Sequence, residues 1–192
     1  MSFQKIDLTK NDLYLQNNAI ADAEQYCILA ADYTLTDSNS AQKAFNTSTN
    51  GAISLEAGKT YFIEFNYNIT NTGTTSHTWA TAFGGTATFS TGSSYQVFGV
   101  TGTTASTPAS GGLSGFIAST TLSTAVVCTA ASTSATEQVS IEGTGVIVCN
   151  AAGTLIPQVK LSAATGGTEV MKAGSFFRVW ETAGTGTVGN WS

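Results

Sequence analysis

GAISLEAGKTYFIEFNYNI, residues Gly51–Ile69, is the stretch from which the rest of the chain is best read. Its second half alternates strictly. Tyr61, Ile63, Phe65, Tyr67 and Ile69 share one face, while Phe62, Glu64, Asn66 and Asn68 share the other. A repeat of two is the signature of a strand with one buried side. Glu56-Ala57-Gly58-Lys59 supplies the turn before it, because Gly58 tolerates a positive φ that a Cβ resists.

Outward from this strand, composition narrows the class of protein. A chain of 192 residues suits one sandwich-sized domain with a short appendage, here expected as an arm over residues 1–24 and a domain over 25–192. Only 10% of residues are charged, so hydroxyls and amides must supply solubility. No Asp, Glu, Lys or Arg lies between Glu64 and Glu137, yet Trp79, Phe83, Phe89, Tyr95, Phe98 and Phe116 punctuate that span. Disordered segments are poor in aromatics, so short strands and long loops are expected there. A net charge of −5 leaves no source for neutralising phosphates, which argues against nucleic acid as a partner. No apolar run reaches bilayer length, and Met1–Lys10 lacks the basic start and apolar centre of a signal peptide. Folding in a cytosol, with no membrane partner, is the expectation.

Further strands are expected over Gln25–Leu35, Ser94–Val100, Leu122–Thr129, Glu137–Cys149, Thr154–Ala163 and Ser175–Glu181. Thr78–Phe83 and Thr86–Phe89 flank Gly84-Gly85, a two-residue hairpin signal that an apolar bulge would also satisfy, and Gly166-Gly167 with Gly174 bracket another hairpin. Thr101–Gly115 reads as a long exposed loop. Pro157 cannot donate to a ladder and should lie at an edge or bulge. In Glu137–Cys149, Val139, Ile141, Ile147 and Cys149 face one way with Gly143 and Gly145 between them. Glu142, Val146 and Val148 face the other, and the glycines mark a bend or a close backbone approach. The sum is an all-β protein, a jelly-roll or related β-sandwich of about eight to ten strands with no long helix. The outward faces carry Phe62, Val146, Val148, Phe177 and Val179, more apolar surface than a solitary sandwich needs. With Trp191 near the C-terminus, they are the candidate subunit-interface residues.

Chemistry is sparse by comparison. The single histidine, His77, lies in a Thr/Ser-rich turn with no nucleophile elbow elsewhere, and is expected to be an exposed or backbone-bonded turn residue. Glu64, Glu142 and Glu181 are the carboxylates available for paired acid–base work, but they come from distant strands. No clustered ligands suggest a metal, no cofactor is implied, and no enzyme signature emerges. Cys27, Cys128 and Cys149 are either a disulfide or reactive thiol, or buried free thiols packed as small hydrophobes, with the second expected.

Four segments resemble the head domains of tailed-bacteriophage fibre and capsid decoration proteins: Gln42–Glu64 (QKAFNTSTNGAISLEAGKTYFIE), Thr75–Phe89 (TSHTWATAFGGTATF), Thr154–Gly167 (TLIPQVKLSAATGG) and Ala173–Ser192 (AGSFFRVWETAGTGTVGNWS). The likeness covers roughly Gln25–Ser192. By position, the family's core strand matches Tyr61–Ile69 and its closing strand Phe176–Glu181. The resemblance implies a jelly roll of the complement and tumour-necrosis-factor type, a homotrimer about a threefold axis, at the virion surface. About 24 residues precede this head, too few for a fibre shaft.

The expected role is therefore a capsid decoration, cement or head-fibre protein. Its arm, through Phe3, Ile6, Leu8, Leu13 and Leu15, grips the major capsid protein or another virion protein. That arm is equally readable as a terminal strand folded on its own domain. The alternative function is the receptor-binding tip of a tail fibre, reading a host-surface glycan with the Thr101–Gly115 loop.

Overall fold

Thr60–Asn71 is the central strand of the protein, and its inward residues Tyr61, Ile63, Phe65, Tyr67, Ile69 and Asn71 are all buried while Phe62 and Asn68 are exposed. Gly58 makes the turn before it with φ of 76°. The computed structural model describes residues 24–45, 51–104, 107–108, 113–118 and 120–182. Strands in chain order are β1 (Gln25–Ile28), β2 (Tyr33–Thr34), β3 (Gln42–Lys43), β4 (Ile53–Leu55), β5 (Thr60–Asn71), β6 (Trp79–Gly85), β7 (Thr88–Phe89) and β8 (Ser94–Thr104). They continue as β9 (Thr107–Pro108), β10 (Leu113–Ala118), β11 (Val126–Val127), β12 (Glu137–Ala151), β13 (Gly153–Leu161), β14 (Glu169–Met171) and β15 (Phe176–Glu181).

The strands form two antiparallel sheets. The larger runs β1-β15-β5-β12-β8-β10, and the smaller runs β11-β6-β13-β3 with β4 also on β13. Set aside the β8–β10 hairpin and the short off-path strands β2, β7, β9 and β14, and treat β3 and β4 as one interrupted strand. The larger sheet then orders its strands first, last, third and sixth, and the smaller orders them second, seventh, fourth and fifth. That is the order of a jelly roll, two Greek keys folded over one core. Aromatic rings seal the two sheets together. Phe83 of β6 meets Phe65 of β5 at 6.1 Å, Tyr95 of β8 at 5.0 Å and Phe177 of β15 at 5.6 Å between ring centroids.

Several local expectations give way to tertiary pairing. The run Gln25–Leu35 is two strands, because Asp32 interrupts it by accepting the Ala173 N–H at 2.9 Å and pairing with Lys172. Gly84-Gly85 is not a hairpin turn. Both glycines lie in the ladder to β13, opposite Ile156 and Leu155, and Gly85 has φ of 114° where a Cβ would stand 2.1 Å from the Thr154 carbonyl oxygen. Of Leu122–Thr129, only Val126–Val127 is strand. Much of Thr101–Gly115 is strand too, since β8 continues to Thr104 and pairs with β9 and β10. The segment after Gly166-Gly167 does not pair with β15; β14 pairs with β2 and with the end of β5.

Pro157 is instructive because β13 is an interior strand. Its partners on one side change from β4, which ends opposite Leu155, to β3, which begins opposite Gln158. Pro157 sits in that gap, its carbonyl accepting the Ala44 N–H at 2.9 Å. A residue's N–H and C=O point to the same side of a strand. The missing donor therefore points to the side where the partner changes from β4 to β3.

Candidate functional site

The outer face of the larger sheet gathers the exposed apolar side chains. Tyr26 (65% exposed), Ile28 (55%), Phe98 (47%) and Phe62 (42%) all lie on it, four of the five large hydrophobic residues exposed among those described. Register explains the gathering, because directly paired residues share a face. Trp180 pairs with Phe62, Phe62 with Val146, Tyr26 with Arg178, Ile28 with Phe176, and Glu142 with Phe98. The Phe62 and Trp180 rings lie 5.7 Å apart, and the Arg178 guanidinium stands 4.9 Å over the Trp180 ring.

The charges on this face are largely answered from within. Arg178 bonds Glu64 through Nε at 3.0 Å and Glu24 through a terminal nitrogen at 3.1 Å, and Asn66 donates to Glu142 at 3.4 Å. The Arg178–Glu64 pair is formed within the face, Glu142 is met there by the Asn66 amide, and Asn66, Asn68, Gln96 and Thr144 interleave polar side chains with the apolar ones.

Of the expected interface residues, Phe62, Val146 and Val148 are on this face, with both valines half-buried. Phe177 and Val179 are not. They pair with Phe65 and Ile63 and are wholly inside the core, so the outward residues of β15 are Phe176, Arg178 and Trp180. Both parities of β15 are apolar, so alternation without register could not choose between them. Trp191 and the arm residues Phe3, Ile6, Leu8, Leu13 and Leu15 lie outside the described residues.

The candidate carboxylates do not converge. Glu64 faces Arg178, Glu142 is on the open sheet face, and Glu181 pairs with Lys59 at 2.6 Å. Among the described residues no three His, Cys, Asp or Glu side chains could hold a metal ion. All three cysteines are free, with Cys128 and Cys149 buried and Cys27 partly so; burial pushes the Cys128 thiol up to about 12.

His77, expected to be an exposed or backbone-bonded turn residue, is bonded to backbone at Thr75 and Ser132 but buried, and it belongs to a polar cluster at one end of the sandwich. Register builds the cluster: Asn71, last residue of β5, lies opposite Glu137 of β12 on one side and Glu169 of β14 on the other. Each of the three is about 1% exposed or less. His77 Nδ1 is 2.7 Å from the Thr75 carbonyl, which can only accept, so that nitrogen carries a proton. Its Nε2 is 2.8 Å from Glu137 Oε2. With Glu137 ionised, the pair is imidazolium and carboxylate. Burial opposes both charges, but the bonds to Glu137 and Thr75 hold the His77 pKa above its ordinary value, and those from His77, Trp79 and Asn71 hold that of Glu137 below.

Glu169 differs, because burial pushes its carboxyl up and its close partner is the Thr165 hydroxyl. Thr165 is fixed from behind by Asp37, which accepts its N–H at 2.6 Å and that of Gly166 at 2.9 Å. A signal for the cluster was present in the sequence. Continuing the buried parity of β5 reaches Asn71, and that of β12, run backwards from Val139, reaches Glu137, so two polar residues fall on an apolar face.

A scan across known protein families finds no match to this chain, and neither does a search of curated proteins.

Proposed function

We propose that this protein is a structural component of a bacteriophage virion, a homotrimeric capsid decoration or head-fibre protein whose subunits meet through the outer face of the larger sheet. One observation carries the reading: exposed Tyr26, Ile28, Phe62 and Phe98 are concentrated on a single sheet face around an internally paired Arg178. Scattered apolar residues need no explanation, but four of the large exposed ones gathered on one sheet face point to an interaction surface. The occupant is a second copy of the chain, since the phage-head resemblance implies a threefold assembly. Attachment is assigned to residues 1–24. Three tethered arms would raise effective concentration and, by binding only assembled shell, stabilise it by mass action.

Sedimentation at micromolar concentration tests the assembly, with a trimer expected and a stable single-copy species refuting it. Deleting residues 1–24 tests attachment separately. The shortened protein should remain trimeric and no longer join particles, and normal incorporation would remove the arm from the mechanism. The tail-fibre tip alternative draws less support, because β8, β9 and β10 occupy much of the segment expected to be its ligand-reading loop.

A further inference from the structure

The buried cluster holds a nucleophile, an electrophile and the groups to couple them. Thr165 Oγ1 lies 3.1 Å from Asn71 Oδ1 and in close contact with Glu169 Oε1. A hydroxyl has one proton and two lone pairs, so donation to Glu169, with one lone pair taken by the Gly167 N–H at 3.2 Å, leaves the other toward the Asn71 carboxamide. The carboxamide oxygen already accepts the Gly73 N–H at 2.8 Å, a donor placed where negative charge would grow during attack. The carboxamide nitrogen lies 3.1 Å from His77 Nε2 and 3.2 Å from Glu137 Oε2. Base, oxyanion donor and acid thus stand at the three atoms that need them.

We propose that Thr165 and Asn71 join in an intramolecular ester. Thr165 Oγ1 bonds to the Asn71 side-chain carbonyl carbon while its proton passes to the Glu169 carboxylate. The carbon–Nδ2 bond then breaks, with the His77 imidazolium supplying the proton that lets nitrogen leave. Hydroxyl plus carboxamide become ester plus ammonia, with no oxidant, reductant or co-reactant. Exchange with solvent resets Glu169 and His77.

Packing is what makes the reaction credible here. Nucleophile and carboxamide are both about 1% exposed, which excludes competing water, and holding them together removes the entropy of encounter. Gly73 is required for the approach, since a Cβ there would stand 2.1 Å from Thr165 Oγ1. The network also leaves Glu137 Oε1 and Glu169 Oε2 buried without hydrogen-bond partners. Such orphans are expensive in a purely structural site and are tolerated where groups must exchange protons.

The test is the covalent mass of the full chain after denaturation and trypsin. Lys160 is the only Lys or Arg between Asn71 and Thr165, so cleavage there should separate residues 60–160 from residues 161–172. The expected result is that the two fragments stay joined and weigh one ammonia less than their sum, and that hydroxylamine releases them. Thr165→Ser should still join them, whereas Thr165→Val should free both at full mass and Glu169→Gln should slow the joining. Separate full-mass fragments from the wild-type chain would overturn the proposal. So would ammonia loss that survives in Thr165→Val, because that is closure of Asn71 on its own backbone. If Thr165→Val does not fold, the wild-type and Thr165→Ser fragments still decide.

Discussion

Replacing Gly143 with alanine should destabilise the protein, although alanine normally improves a strand interior. Gly143 lies directly opposite Phe65 in the β12–β5 ladder, and the ring of Phe65 leans over it. An added Cβ would stand 2.0 Å from the tip of that ring and 2.4 and 2.7 Å from two more of its atoms. Ordinary carbon contacts need about 3.5 Å or more, so the ring must move by over about 1 Å. Every direction is occupied. Tyr67 stacks on Phe65 at 4.7 Å, and Phe83, Phe177 and Tyr95 surround it at 6.1, 6.2 and 6.5 Å.

Overpacking a filled core costs about 1–3 kcal/mol. Relief of glycine's backbone entropy returns about 0.5–1 kcal/mol. The net expectation is a loss of about 0.5–2 kcal/mol, or about 1–8 °C in midpoint for a chain of this size. Urea unfolding at fixed protein concentration measures it, and a Phe65→Leu background isolates the cause, since contacting residues should couple. If Gly143→Ala is neutral, stabilising or additive with Phe65→Leu, the close-packing account of this glycine fails.

Three further outcomes are expected. Phe62→Glu with Trp180→Glu, on the exposed face, should shift the sedimenting species to single copies with little change in circular dichroism; an unchanged assembly would move the interface elsewhere. The pH profile should be asymmetric. His77's raised pKa contributes stability that is complete below the unfolded value of 6.5 and is lost as pH rises through the folded value, and Glu169's raised pKa likewise favours acid from 4.5 upward. Glu137's lowered pKa contributes above 4.5 and is lost as pH falls through its folded value. Thermal midpoints should thus peak in mild acid and decline above 6.5, and His77→Gln should flatten that decline; an equal slope in both proteins would assign it to other groups. Pro157→Ala should cost less than about 1 kcal/mol, because its new N–H would face the gap between β4 and β3. A larger loss would mean that the gap is closed to water.

The central strand and its neighbour β12 were legible in the sequence because each has one buried side, and a period of two then carries all the information. Partner choice was not legible to the same degree. Gly84-Gly85 has the local chemistry of a tight turn, but a close approach to Thr154 asks for the same residues, and only the third dimension separates the two. Leu122–Thr129 is apolar enough for a strand, yet only Val126 and Val127 find a partner in β6. The polar cluster was hidden for a related reason. Its members come from the ends of β5, β12 and β14 and from two connections, and each taken alone is an ordinary loop or strand-end residue. Extending the parity of β5 and β12 by one step each would have placed Asn71 and Glu137 inside, but register was needed to bring Glu169 and Thr165 to them.

The proposed ester has a thermodynamic consequence that can be read without mass measurement. Asn71 and Thr165 are 94 residues apart, and a link between them would restrain about half of the chain in the unfolded state. Loop-closure entropy assigns a link of that span about 4.7 kcal/mol, against the roughly 0.5–1.5 kcal/mol expected from losing a single hydrogen bond. The two effects also differ in kind. A cross-link compacts the unfolded ensemble, so it lowers the dependence of stability on denaturant, whereas a lost hydrogen bond leaves that slope unchanged. Guanidinium unfolding of the wild-type chain beside Thr165→Val should therefore show a steeper slope and a loss of several kcal/mol in the variant, with Thr165→Ser close to wild type. Equal slopes and a loss near 1 kcal/mol would mean that Thr165 only donates a hydrogen bond, and the cluster would then be a buried ion pair with its polar supports.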